Sequence, residues 1–323
     1  MEERIVPAHG VAMAPISMRG VQEEMWRNLP LVYALPASML QAMRAMRRFK
    51  PDVVLGTGGY ITAPVGAAAL IRRVPLVLQE QNVVPGRTTR TLARRAALVC
   101  TAFAGTASHL RGTRIEHTGT PLRQEFAAAG RAARARPAAT EGPLRRLLVI
   151  GGSQGAHRIN RAVAEGVKAL LELPGLSVHH VCGTNDVADL LAMRSGLPDA
   201  DQPRYQVEAF TEAVLDLLVE ADLVVSRAGG SALAEATALG KPLVLVPYPH
   251  AGAHQRFNAE PVVAAGAAVA VPDEELSGVR LVAEVARLAR DPRALAAMRQ
   301  ASLAFGRPDA AADVARRLLE VGA

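Results

Sequence analysis

Short apolar, β-branched runs ending at or near glycine recur along this chain, and most are followed by a stretch of helical pattern. A strand, a glycine turn and a helix form the building step of a parallel sheet, because parallel neighbours need a long crossover between them. The first half supplies PDVVLGTGG (51–59), PLVLQEQN (75–82), AALVCTAF (96–103) and TRIEHTG (113–119), with helices expected over Pro64–Arg72 and Arg87–Arg95. The rhythm restarts at RRLLVIGGSQGAHRIN (145–160) and runs through LSVHHVCG, RYQVEAF, ADLVVSRAGG, KPLVLVPYP and AAVAVP. The expected architecture is α/β, with two Rossmann-like domains and a ligand cleft outside the carboxyl ends of their strands.

The first domain is expected over 1–133 and the second over 144–304, joined by a linker at 134–143. The stretch Ala127–Pro143 is small, basic and proline-containing, as a linker region should be. Residues 305–323 read as a C-terminal helix packing back on the first domain. Nothing before Pro51 reads as strand, glycine turn and helix in that order, so the first domain is expected to lack its opening βαβ unit.

Composition narrows the function. The 323 residues carry a net charge of +7, which points to acidic partners such as nucleotides, phosphates or an anionic membrane face. No run of 18 apolar residues occurs, and the acidic start does not read as a signal peptide. Cys100 and Cys182 are far apart and have no metal-ligand spacing, so both read as buried thiols.

Three segments of the second half carry candidate chemistry. In LLVIGGSQGA (147–156) a strand ends in glycines where a helix begins, which makes either a phosphate cradle with Ser153, Gln154 and Gly155 or a plain tight turn. In SRAGGSALAE (226–235) Gly229 and Gly230 open a second helix at about Ser231. Glu235, one turn in, suits ribose hydroxyls or simply offsets the helix's positive end. In PYPHAGAHQRFNA (247–259) the His250–His254 spacing resembles a metal pair but lacks an acidic or Cys companion. Gln255 and Asn258 better suit sugar hydroxyls. In the first half, Gly58, Gly59 and Tyr60 of GTGGY, Asn82 of EQN and Arg123 of GTPLR follow strands, and Arg123 suits a diphosphate. Asp199-Ala-Asp201 has a metal-binding form but no preceding strand, and is set aside.

Taken in order, PDVVLGTGGY, EQN-x-x-PG, GTPLR, GGSQGA-x-x-IN, SRAGGSALAE and PYP-x-x-x-x-HQ-x-x-NA resemble the MurG family of glycosyltransferase family 28, from Glu3 to the PDAA element at Pro308–Ala311. The resemblance implies a GT-B fold and inverting, metal-independent transfer of N-acetylglucosamine from UDP-N-acetylglucosamine to the C4 hydroxyl of N-acetylmuramic acid on lipid I, giving lipid II. It implies no cofactor and no nucleic-acid partner. By matching position, Ser153 would meet the donor diphosphate, Glu235 the ribose, the backbone at Thr211 the uracil, and Gln255 the sugar. Gly230, Ser231, Ala232 and Leu233 would line the donor. Asn82 and Arg123 would reach it from the first domain's side, and Gly58, Gly59, Tyr60, Gln154, Gly155, His254 and Asn258 are further cleft contacts.

The family's opening strand, glycine loop and helix have no counterpart here, a loss of roughly 30 residues. The histidine proposed as general base lies in that loop, so the catalytic residue is unknown in this chain. A start codon assigned too far downstream is the expected explanation, and the chain as printed is expected to be unstable or inactive. The resemblance places the protein peripherally on the cytoplasmic face of the cell membrane. Trp26, Leu29, Leu31, Val32 and Tyr33 are expected to meet anionic inner-leaflet lipid, while Met39, Met43 and Met46 face the core of a helix with a basic outer side. The alternatives are another GT-B glycolipid glycosyltransferase, and a non-catalytic remnant.

Overall fold

A computed structural model describes residues 6–7, 10–18, 31–135, 142–151, 155–249 and 254–323. The chain divides into two compact units.

In the first unit, α1 (Leu31–Phe49), β1 (Val54–Gly56), α2 (Thr62–Ile71), β2 (Leu76–Glu80), α3 (Arg87–Leu92), β3 (Leu98–Thr101) and β4 (Ile115–His117) follow in chain order. The four strands form one parallel sheet in the order β1-β2-β3-β4. Strands β2 and β3 are buried at every position, the polar Gln79, Glu80 and Thr101 included, so their sequences do not alternate apolar with polar. The methionine stripe faces inward as its spacing predicts. Met46 is buried with Ala42, and Met39 and Met43 pack beside them against Leu76, Leu78 and Val99. Arg44, Arg47 and Arg48 are exposed.

The second unit contains α4 (Gln124–Ala135), β5 (Arg146–Ile150), α5 (His157–Leu171), β6 (Ser177–Val181), α6 (Val187–Ser195), β7 (Tyr205–Glu208), α7 (Val214–Glu220), β8 (Leu223–Ser226), α8 (Gly230–Ala238), β9 (Leu243–Leu245), α9 (His254–Ala264), β10 (Ala268–Ala270), α10 (Gly278–Ala289) and α11 (Pro292–Phe305). Its parallel sheet has the order β10-β9-β8-β5-β6-β7. The order reverses between β5 and β8, the point at which a doubly wound sheet opens a crevice at its carboxyl end. Leu147, Val149, Leu223, Val225, Ile159, Val163 and Leu281 are among the buried side chains of its core. Helix α5 crosses α10 where Gly166 meets Gly278. A Cβ on Gly166 would stand 3.0 Å from Gly278 O, and one on Gly278 would stand 2.5 Å from Glu165 Cβ.

The last helix, α12 (Ala310–Gly322), brings Ala312–Ala323 back to the first unit. Val314 packs with Val77, Leu98 and Cys100, and Arg317 binds Glu116 at 2.6 Å.

The units divide differently from the expected 133/134 boundary. Gly119–Ala311 and the three residues Asn82–Val84 belong to the second. The reason is packing. A Cβ on Gly119 would touch Arg307 and Ala310, and one on Gly130, within α4, would touch Ala238 O and Pro308. Residues 136–141 of the expected linker lie outside the described residues, as do Trp26, Leu29 and the side chains of Leu31, Val32 and Tyr33.

Candidate functional site

The carboxyl ends of β5 and β8 open onto a cavity of about 870 Å³ within the second unit. That size suits a nucleotide-sized ligand. Two glycine turns build its floor, each feeding a helix whose first backbone N–H groups have no partner within the helix.

Between the end of β5 at Ile150 and the start of α5 at His157, Gly151 and Gly155 line the cavity. Gly155 has φ +80°, and a Cβ there would meet Cys182 O at 2.5 Å, so only glycine fits without displacement. Ser153 and Gln154 lie outside the described residues. Asp186, just before α6, lines the same wall. It accepts from His157 Nδ1 at 2.9 Å and from Asn160 Nδ2 at 2.6 Å. Burial is the largest single influence and opposes its ionisation, but the two hydrogen bonds and the neighbouring histidines together outweigh it and hold the carboxyl below its ordinary range.

The second turn leaves β8 and enters α8 after Gly229, which caps the helix in an extended conformation. Gly230, Ser231 and Ala232 are the first residues of α8, and Ala232 lines the cavity. Leu233 does not contribute as expected. Its side chain is buried in the core and its N–H already closes a helical bond to Gly229 O. Glu235 lines the cavity and stands 3.7 Å from Arg123 Nη2. Burial pushes the Glu235 pKa up, and the Arg123 guanidinium works against that rise.

Gln255 is held by its amide oxygen, which accepts from Ala228 N–H at 3.1 Å and Tyr248 N–H at 3.0 Å. That fixes the side chain at the cavity wall and leaves its amide nitrogen to donate. Asn258, an expected cleft contact, lies behind the cavity wall rather than in its lining. It is fully buried, accepts from Val83 N–H at 2.9 Å, and donates to Asn82 Oδ1 at 3.0 Å and Ala228 O at 3.3 Å. It therefore ties the Asn82 segment to the β8 turn instead of facing a ligand. His254 donates from Nδ1 to Val84 O at 3.1 Å.

Asn82 and Arg123 were expected to act from the first domain, yet both belong to the second unit. Arg123 also pairs with Glu125 at 3.4 Å and covers the Phe126 ring at 4.4 Å. Thr211 accepts from Ala213 N–H at 3.1 Å, which shapes the turn ahead of α7, whose Val214 and Leu218 line the cavity. Gly58 and Gly59 hold φ +89° and +74° in the turn between β1 and α2 of the first unit, beside the exposed Tyr60.

Sequence reasoning missed Arg158, Arg227, Tyr248 and Asp273, which also line the cavity. Arg227 donates to Asp273 Oδ1 and to Val246 O at 3.0 Å, and lies 5.3 Å from the Tyr248 ring centroid. Arg158 reaches the other Asp273 oxygen at 3.3 Å. The only available signal was position, since Arg227 follows β8 directly. Both cavity arginines thus share one carboxylate, so the helix starts carry more of any anion binding than the basic composition suggested. Among the described residues no group of three or more His, Cys, Asp or Glu side chains could hold a metal ion. His250 lies outside them. Asp199 and Asp201 serve a turn, accepting from Gln202 and Arg204.

The model of the glycosyltransferase family 28 C-terminal domain matches residues 146–314, and that of the family's N-terminal domain matches residues 1–101. The UDP-N-acetylglucosamine–N-acetylmuramyl-(pentapeptide) pyrophosphoryl-undecaprenol N-acetylglucosamine transferase of Moorella thermoacetica is 40% identical over 315 residues, covering 96% of this chain and 85% of that protein. The protein of the same name from Desulforudis audaxviator is 39% identical over 330 residues, covering 100% and 88%. The crystal structure of Acinetobacter baumannii MurG superposes with a TM-score of 0.75 at 27% identity, covering 99% of this chain and 88% of that one. A UDP-N-acetylglucosamine 2-epimerase structure from Listeria monocytogenes, at 16% identity and a TM-score of 0.69, shares the fold.

Proposed function

This chain belongs to glycosyltransferase family 28, and from that membership and the cavity's construction we propose that it transfers N-acetylglucosamine from UDP-N-acetylglucosamine to the N-acetylmuramyl-pentapeptide of an undecaprenyl-diphosphate-linked acceptor. Its two parallel-sheet units are the Rossmann-like domains of a GT-B enzyme. The observation that carries the reading is the convergence of two glycine-turn helix starts, Glu235 and Gln255 on one cavity at the sheet's switch point.

In this reading the starts of α5 and α8 take the donor diphosphate, whose charge grows as it leaves. Glu235 accepts from the ribose hydroxyls, and the Gln255 amide nitrogen donates to the sugar. The backbone near Thr211 meets the uracil, above an apolar patch made by Val214 and Leu218. The acceptor's C4 hydroxyl oxygen attacks the anomeric carbon from the face opposite UDP and gives up its proton to surrounding water. The bond from that carbon to the diphosphate oxygen breaks, UDP leaves with the electron pair, and the configuration inverts. The helix starts supply the charge stabilisation for which other glycosyltransferases use a metal.

Activity is tested by following sugar transfer from UDP-N-acetylglucosamine to a lipid I analogue. Formation of the disaccharide lipid supports the reading. UDP-sugar binding without transfer to this acceptor, but with transfer to another glycolipid, overturns the acceptor assignment.

We further propose that the first unit meets anionic lipid on the cytoplasmic face of the membrane. No helix among the described residues is long and apolar enough to cross a bilayer. The exposed Leu40 and Phe49 of α1 lie among the exposed Arg44, Arg47 and Arg48, and such a mix suits an interfacial contact. Sedimentation with anionic vesicles tests this. Equal pelleting of the wild type and a Leu40→Ser/Phe49→Ser variant removes the proposal.

A further inference from the structure

A chain of hydrogen bonds runs from the core of the second unit to the cavity wall, and it starts at residues that the donor reading leaves unused. His180 on β6 is fully buried. Its Nδ1 lies 3.0 Å from the hydroxyl of the buried Tyr205, and its Nε2 lies 3.0 Å from Asn160 Oδ1. Asn160 is buried too, near the start of α5. It donates through Nδ2 to Cys182 O at 2.8 Å and to Asp186 Oδ2 at 2.6 Å.

These partners fix the protons. Asn160 Nδ2 faces a carbonyl and a carboxylate, both acceptors, so the amide orientation is settled and Oδ1 faces the imidazole. An amide oxygen only accepts, so His180 carries its proton on Nε2. Nδ1 then accepts, and the Tyr205 hydroxyl donates to it. Every member is satisfied with a neutral imidazole, and burial pushes the His180 pKa down to about 4. A buried network that is fully satisfied in one arrangement specifies that arrangement.

The far end of the chain touches the cavity twice. Asp186 lines it directly. Cys182 O is the atom against which the Gly155 turn rests, with no room for a Cβ between them. If the His180 proton is lost, Asn160 Oδ1 is left without a donor in the core, and the hold on its amide, and through it on Cys182 and Asp186, is weakened.

We propose that His180, which touches no substrate, is a positioning residue of the donor site: the proton on its Nε2 orients the Asn160 amide, and through it holds the Gly155 turn and Asp186 where the donor's diphosphate end is received. The inference rests on the donor reading given above.

The test compares His180→Gln, whose amide can donate in place of Nε2–H, with His180→Leu, which cannot. UDP binding by calorimetry, transfer kinetics, thermal melting and nitrogen NMR of the wild-type imidazole are the measurements. His180→Leu is expected to weaken UDP binding and raise the KM for UDP-N-acetylglucosamine about ten-fold, the scale of one lost buried hydrogen bond, with kcat nearly unchanged. His180→Gln should recover most of that affinity. The imidazole should show a protonated Nε2 and a bare Nδ1 throughout about pH 6 to 8, where a solvated histidine would titrate. Wild-type affinity in a folded His180→Leu variant overturns the inference, as does equal loss in both variants or a proton on Nδ1. Should the leucine variant fail to fold, the glutamine variant and the NMR tautomer decide by the same criteria. A wild type that binds no UDP overturns the donor reading and this inference with it. Wild-type binding that both variants retain overturns the inference alone.

Discussion

Arg123 Nη2 stands 3.7 Å from Glu235 Oε1, and both belong to the second unit. The guanidinium is the main influence opposing the rise that burial imposes on the Glu235 pKa. Replacing Arg123 with Ala removes that opposition, so Glu235 takes up its proton at a higher pH. Only the carboxylate accepts freely from ribose hydroxyls. The acid limb of kcat/KM for UDP-N-acetylglucosamine should therefore move to higher pH in Arg123→Ala. An unmoved limb in a pH–rate profile would separate Glu235 from donor binding.

Glu235→Gln should change stability and affinity in opposite directions. The folded-state pKa lies above the ordinary carboxylate value, so the folded chain holds more protons between the unfolded and folded values. Stability due to this group is greatest below the unfolded pKa and falls as pH rises through the folded one. At neutral pH a neutral glutamine removes that cost and should raise Tm slightly. UDP affinity should fall about ten-fold or more through loss of a charged hydrogen-bond acceptor. Thermal melts and calorimetry on the same preparation check both halves.

Gln255 separates a structural role from a binding role within one side chain. Its oxygen holds Ala228 N–H and Tyr248 N–H. Gln255→Leu strands both amides and should cost about 1–3 kcal/mol in urea unfolding. Gln255→Glu keeps the acceptor and should melt near the wild type, while losing the donor to the sugar. A KM for UDP-N-acetylglucosamine about ten-fold higher, with UDP binding little changed, is the expected signature.

Gly155→Ala places a Cβ 2.5 Å from Cys182 O at φ +80°. The strain should cost about 1–3 kcal/mol and shift the turn away from its seat on Cys182, just past β6. Equilibrium unfolding gives the first number, and UDP titration should show the donor site weakened even where the variant is folded. Full UDP affinity in the folded variant would place the turn outside the site.

Much of the second unit was legible because its signals are local. LLVIGG and LVVSRAGG each state a strand and its glycine turn, and β5, β8 and the helix starts lie where those segments put them. The place of Glu235 in the cavity wall was legible for the same reason, one turn past its glycines. Asn258 was not, because whether an amide meets ligand or core depends on Val83 and Asn82, about 175 residues away in sequence. The side-chain burial of Leu233 and the sharing of Asp273 between two arginines are also tertiary facts with no local pattern. Gly119 reads as the end of a strand in the first half, yet its contacts with Arg307 and Ala310 place it in the second unit.

The Gly166–Gly278 crossing has a mechanical meaning for the cavity. Helix α5 begins at the cavity floor and is pinned against α10 nine residues later, about 14 Å along its axis. A rigid rod clamped at that distance turns a small push at the clamp into a comparable tilt at its tip. The two glycines therefore act as the fulcrum of the cavity-facing helix end, and the aim of its N–H groups is set at a crossing outside the cavity lining.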